Sequence, residues 1–135
     1  METTLNVHPA DLREVLALLD LAGSTKADTT LGAATIEELC RGAMAFAVDA
    51  NGERCGAYAI KVVNHDDERV AWVMAAGGTM RGVDLTASVL PAIEYQAREL
   101  DAGQIAITTR RRGLIHKLSA MGYTVAGITL RKNLK

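Results

Sequence analysis

The stretch Thr79–Gln96, TMRGVDLTASVLPAIEYQ, holds the residues best placed to do chemistry. A short loop carrying Arg81-Gly82 runs into a helical pattern. A glycine-bearing loop that opens on a helix N-terminus is a phosphate cradle, because free backbone N–H groups and the positive helix end both favour an anion. Asp84 stands where that helix should begin. It is a good N-cap residue, but its charge opposes the anion that the helix end would attract. Charge along the chain bears on the same question. All sixteen acidic residues lie at or before Asp101, and residues 110–135 carry Arg110, Arg111, Arg112, Lys117, Arg131, Lys132 and Lys135 with no acid. That segment is +7 and the rest −8, within a net charge of −1. Such a split suits an anionic partner, either a phosphorylated cofactor or nucleic acid. A solvated face with a basic tail would give the same split.

A length of 135 residues predicts one domain over 1–135, and 49% hydrophobic content is enough for a single core. No apolar run reaches the length of a membrane span, so no membrane partner is expected. The first six residues lack the basic-then-apolar order of a signal peptide. Cys40 and Cys55 match no metal spacing and read as buried thiols in a reducing, cytoplasmic setting. No metal is expected.

Hydrophobic period sets the elements that must carry these residues. TTLNVH alternates as a first strand, which His8-Pro9 should break. Leu12, Val15, Leu16 and Leu19 share one helical face over 11–21. Thr35 followed by Glu38 is a capping box for a short second helix. The period then changes to two: AMAFAVD, the turn Asn51-Gly52, and RCGAYAIKVV predict a hairpin. RVAWVMAA, nearly all apolar, predicts an inner third strand of that meander. Leu85, Val89, Ile93, Gln96 and Leu100 form the next helical stripe, with Pro91 inside it expected to kink the helix or mark a late start. QIAITT is a strand reached by a parallel crossover. A helix over 111–121, with Leu114, Ile115, Leu118 and Met121 inward, stops at Gly122, and YTVAGITL predicts a last strand. The fold class is therefore α/β with a mixed sheet, in the order β-α-α-β-β-β-α-β-α-β.

This order resembles the GNAT family, the acetyl-CoA-dependent N-acetyltransferases. The resemblance spans essentially the whole chain and has a common register over about fifty residues. Arg81-Gly82 matches the start of the family's Arg-Gly-x-Gly-x-Gly/Ala loop, and Gly122-Tyr123 stands for its Gly-Phe pair. Asp84 and Thr86 replace the later loop glycines, Arg111 replaces the usual asparagine after the fifth strand, and Leu118 stands where many members carry a proton-donating tyrosine.

The resemblance implies acetyl-CoA as cofactor and a small amine or protein amine as acceptor. Its cofactor residues would be Ala75, Ala76 and Gly77, through their backbone, with Arg81, Gly82, Val83, Asp84, Thr86 and Arg111. Acetyl transfer also needs a base for the ammonium and is eased by an acid for the leaving thiolate. Glu68, with His65 and Asp67 in the turn before it, would serve the first need, and Tyr123 or His116 the second. A polar turn, a core aromatic and an exposed helix face are the plain structural readings of the same residues. Because the loop and proton-donor positions depart from the family pattern, the resemblance also admits a non-catalytic, phage-encoded member kept for binding or assembly. Its basic C-terminal segment would then contact a virion or nucleic acid, and the protein would be virion-associated. Either way the C-terminal strand lies at a sheet edge and would pair with a second copy to form a dimer.

Overall fold

The computed structural model describes residues 5–19, 30, 32–78 and 85–135, with backbone alone for 85–87. Alternating small and large apolar residues build its sheet. β1 (Leu5–Ala10), β2 (Met44–Ala50), β3 (Glu53–Asn64), β4 (Arg69–Gly78) and β5 (Gln104–Ile107) lie side by side in chain order. The first four are antiparallel neighbours, and β5 runs parallel to β4. The β2–β3 turn is made by Asn51 and Gly52, both at positive φ (52° and 84°), the type I′ geometry that an Asn-Gly pair favours.

Two layers of helix cover the sheet. On one face α1 (Leu12–Leu19) and α2 (Ile36–Leu39) bury Val15, Leu19 and Ile36 against Ala45, Ala47, Ala57 and Ala59. Small strand residues on this face let α1 lie close to the sheet. The capping box of α2 forms as expected: Glu38 N–H donates to Thr35 Oγ1 at 3.1 Å, and Thr35 N–H donates to Glu38 Oε1 at 3.2 Å. On the other face α3 (Leu85–Glu99) and α4 (Arg112–Ala120) set Leu90, Ile93, Ala97 and Leu118 against Phe46, Val48, Tyr58, Ile60 and Ala71. The Phe46 and Tyr58 rings stack at 5.1 Å between centroids. α3 spans both sides of Pro91, whose ring is on the exposed face. Both cysteines are buried, and they are not joined in a disulfide.

Two bulges re-aim side chains. Val48 faces Gly56 and Asp49 faces Arg54, so Cys55 is the extra residue and packs with the α3 layer instead of with its neighbour Ala57. On β4, Ala59 faces Ala75 while Ile60 faces Val73, so Met74 is extra. Ala71 and Val73 accordingly face α3 and α4, whereas Met74 and Ala75 face α1 and α2.

The mixed α/β sheet agrees with the sequence, with two corrections. His8-Pro9 does not end β1: the strand continues to Ala10, with Pro9 opposite Phe46. β1 is an edge strand, so the N–H that proline lacks leaves no inner ladder incomplete. The last strand is not formed either. No residue from 123 to 135 belongs to a strand, because β-propensity alone makes no strand without a partner to bond. The expected C-terminal strand is an exposed segment here.

Candidate functional site

The β4–β5 ladder is short. The parallel ladder joins Val70, Ala71, Trp72 and Val73 to Gln104, Ile105, Ala106 and Ile107, and there it stops. β4 continues past the Met74 bulge through Ala75, Ala76, Gly77 and Gly78, which pair with β3 only. Among the described residues, the β5-facing edge of that stretch has no ladder partner. Its backbone N–H and C=O groups are left for another extended group to meet. The ladder ends at the Met74 bulge, so the backbone around Ala75-Ala76-Gly77 lies past the last β4–β5 pair, at the carboxyl end of the two parallel strands.

Topology brings both late helices to the same end. α3 starts beyond the C-terminal end of β4 and α4 beyond the C-terminal end of β5, and these strands are parallel. A crevice outside the carboxyl ends of parallel strands is where open α/β sheets bind ligands. The α4 N-cap, Arg111, is extended (φ −87°, ψ 114°), makes no side-chain cap bond, and donates its own N–H to Thr109 Oγ1 at 3.1 Å. The leading N–H groups of α4 therefore lack a side-chain acceptor from the N-cap position, with the exposed side chains of Arg111 and Arg112 beside them. Arg81, Gly82, Val83 and Asp84 lie outside the described residues. Thr86 is in the first turn of α3, described by backbone alone.

The candidate proton carriers are not gathered at this end. Glu68 precedes β4, seven residues before Ala75, which at strand rise is about 23 Å away along the strand. Its carboxylate lies over Gly103, where a side chain would otherwise stand, and Gly103 N–H donates to Arg69 O at 2.8 Å. His65 and Asp67 are exposed in the same β3–β4 turn. Tyr123 follows the C-terminus of α4, at the far end of that helix from its start. A left-handed Gly122 (φ 94°) closes α4, with Tyr123 N–H returning to Leu118 O at 3.0 Å. The Tyr123 hydroxyl donates to Glu94 Oε2 at 2.9 Å. Burial, then that carboxylate, pushes the phenol well above its usual range, so it stays protonated. Glu94 is nine residues into α3, about 14 Å along the axis from the helix start. His116 is exposed on α4, and Leu118 is core at 6% exposure.

One polar cluster escaped the sequence reading. His8 Nε2 lies 2.9 Å from Asp49 Oδ2, and Arg54 Nε lies 3.5 Å from Asp49 Oδ1. The hydrogen bond to Asp49 holds His8 above its ordinary value, and the bond to His8 holds Asp49 below its own. This pair ties edge strand β1 to β2. Only its strand pairing reveals it, since the partners are forty-one residues apart.

Among the described residues, no group of His, Cys, Asp and Glu could hold a metal, and no helix is long and apolar enough to cross a membrane. The class this architecture defines is the GNAT-like acetyltransferase fold. It matches a Trypanosoma brucei acetyltransferase with a TM-score of 0.67 at 13% identity, covering 97% of this chain and 100% of that one. An aminoglycoside acetyltransferase from an uncultured soil metagenomic sample matches with a TM-score of 0.68 at 14% identity, over 98% of this chain and 99% of that one. A predicted acetyltransferase from Clostridium acetobutylicum, solved with acetyl-CoA, matches with a TM-score of 0.64 at 14% identity, over 97% of each chain. No protein-family model matches the sequence, and no curated protein matches it significantly.

Proposed function

We propose that this chain binds acetyl-CoA and transfers its acetyl group to an amine. The observation that supports this most is the end of the β4–β5 ladder at the Met74 bulge. It leaves a free backbone edge at Ala75–Gly78, with the starts of α3 and α4 at the same end of the sheet. An extended chain of amides, such as pantetheine, can bond to such an edge as an added strand would. In this reading Ala75, Ala76 and Gly77 hold the acyl arm and offer backbone N–H groups to the carbonyl oxygen. Arg81, Gly82, Val83, Asp84 and Thr86 meet the pyrophosphate at the start of α3, and Arg111 adds positive charge from α4. The cofactor supplies the activated acetyl thioester. The chain aligns it and shields it from water.

A second reading, binding without turnover, is favoured by Leu118. A buried leucine stands at the matching position for a thiolate-protonating tyrosine, and the nearby Tyr123 hydroxyl is engaged with Glu94 instead. Release of free thiol from acetyl-CoA, followed with a panel of small amines and a lysine peptide, separates the two. Amine-dependent release supports transfer. Acetyl-CoA binding with no release by any amine supports the second reading, and no binding at all overturns both.

A further inference from the structure

Part of the sheet lies outside both apolar clusters, and it leads to Ala75. Ile60, Ala71, Val73, Ile105 and Ile107 pack with α3 and α4. Alternation puts their neighbours on the opposite face, the one that α1 and α2 cover over β2 and β3. Two cross-strand rows result there. One is Val63–Val70–Gln104, and the other, nearer the Met74 bulge, is Lys61–Trp72–Ala106. None of these six belongs to either cluster.

Trp72 is the chain's one tryptophan. A ring of that size normally packs into a core. Trp72 stays half-buried, and among the described residues no hydrogen bond or ring contact engages it. Its neighbour toward β5 is the short side chain of Ala106. Its neighbour toward β3 is Lys61, exposed and, among the described residues, in no ion pair. The two rows hold no carboxylate. They offer a ligand one flat apolar surface and one cation. Trp72 stands in the last pair but one of the β4–β5 ladder, and Met74 and Ala75 follow on the same face. From Trp72 to Ala75 is at most about 10 Å along the strand.

We propose that Trp72 and Lys61 select the acceptor, an amine that carries a flat apolar ring and a carboxylate, as an aromatic amino acid does. This assignment rests on the acyl-transfer reading, in which the thioester lies at Ala75–Gly77. The ring lies on the indole, the carboxylate meets the Lys61 ammonium, and the amine faces the thioester. Transfer joins the amine nitrogen to the acetyl carbon and breaks the C–S bond. The proton that the amine loses balances the one that the thiolate gains. A polycationic acceptor is disfavoured, because Lys61 repels it and the rows hold no carboxylate to pair with it.

The single tryptophan is its own reporter. Its emission, excited where tyrosine does not absorb, is followed in the full chain, with and without CoA. The probes are L-phenylalanine, 2-phenylethylamine, L-alanine and spermidine. L-phenylalanine should change the emission saturably, with a Kd about tenfold below those of the other three. Lys61→Ala should raise that Kd about fivefold and leave the Kd of 2-phenylethylamine unchanged. Lys61 is exposed, so the circular dichroism of this variant should match the parent. Trp72→Leu, read by calorimetric titration, should weaken L-phenylalanine about tenfold, and Trp72→Phe should restore most of the loss. Emission unmoved by millimolar L-phenylalanine in both conditions would overturn the assignment. So would equal affinity for 2-phenylethylamine, or a Lys61→Ala variant that binds L-phenylalanine as the parent does. Acetyl-CoA binding without L-phenylalanine binding would overturn this assignment alone. L-phenylalanine binding without acetyl-CoA binding would instead overturn the acyl-transfer reading, and with it the acceptor role of the site.

Discussion

Tyr58 carries the one buried side-chain polar atom found without a hydrogen-bond partner among the described residues, its hydroxyl. The residue is 1% exposed, on β3 opposite Ala76, with its ring stacked on Phe46. Burial pushes the phenol up to about 12, which expresses the same lack of solvation. A buried hydroxyl without a partner costs about 1–3 kcal/mol. Tyr58→Phe keeps the ring and its stack and removes only that atom, so it should stabilise the fold by about 1–2 kcal/mol. Unfolding entropy near 2.1 cal/mol/K per residue gives about 0.28 kcal/mol/K over 135 residues. The gain is then a rise in Tm of about 4–7 °C. Differential scanning calorimetry, with urea titration at 25 °C as a second reading, measures it. Tyr58→Ala calibrates the site, because losing the ring should cost about 3–5 kcal/mol. A lower Tm for Tyr58→Phe would refute the reasoning, since the hydroxyl would then have a partner, such as an enclosed water, worth more than its desolvation.

Three further outcomes follow from particular contacts. Tyr123→Phe removes the 2.9 Å bond to Glu94 and should cost about 1 kcal/mol in urea unfolding, with acetyl-CoA affinity unchanged. The His8–Asp49 pair makes stability depend on pH. His8 is raised, so its contribution is complete below 6.5 and is lost as pH climbs through its folded value. Asp49 is lowered, so its contribution is present above 3.8 and is lost as pH falls through its folded value. The difference in urea midpoint between the parent and Asp49→Asn should thus be largest between pH 3.8 and 6.5, and should shrink in salt. A flat difference across that range would show that the pair does not act as a charge pair. Glu68→Gln, at the opposite end of β4 from Ala75–Gly78, should leave acetyl-CoA affinity within twofold by calorimetric titration.

Much of this architecture was legible in the residues. The Asn51-Gly52 turn, the Thr35–Glu38 capping box and the switch of period from 3.6 to 2 after Arg41 each rest on local chemistry, and local chemistry is visible in a single stretch. The Met74 bulge was not. Val73, Met74, Ala75 and Ala76 are all apolar or small, so the parity break that ends the β4–β5 ladder leaves no mark in an alternation of polar and apolar. His8 with Asp49, and Tyr58 with its lone hydroxyl, depend on strand register and on what lies across the sheet. Pro9 reads as a stop in the sequence, but its cost depends on whether a strand is at an edge, and β1 is one. The C-terminal segment has the composition of a strand, but a strand is a property of a pair, and composition describes one member.

Thermal unfolding with acetyl-CoA tests the central claim most directly. A ligand at a hundredfold excess over its dissociation constant adds about 2.7 kcal/mol, which on the entropy above is a rise in Tm of about 10 °C. The account predicts a concentration-dependent rise that acetyl-CoA produces and free acetate does not. A Tm unmoved at millimolar acetyl-CoA would contradict it.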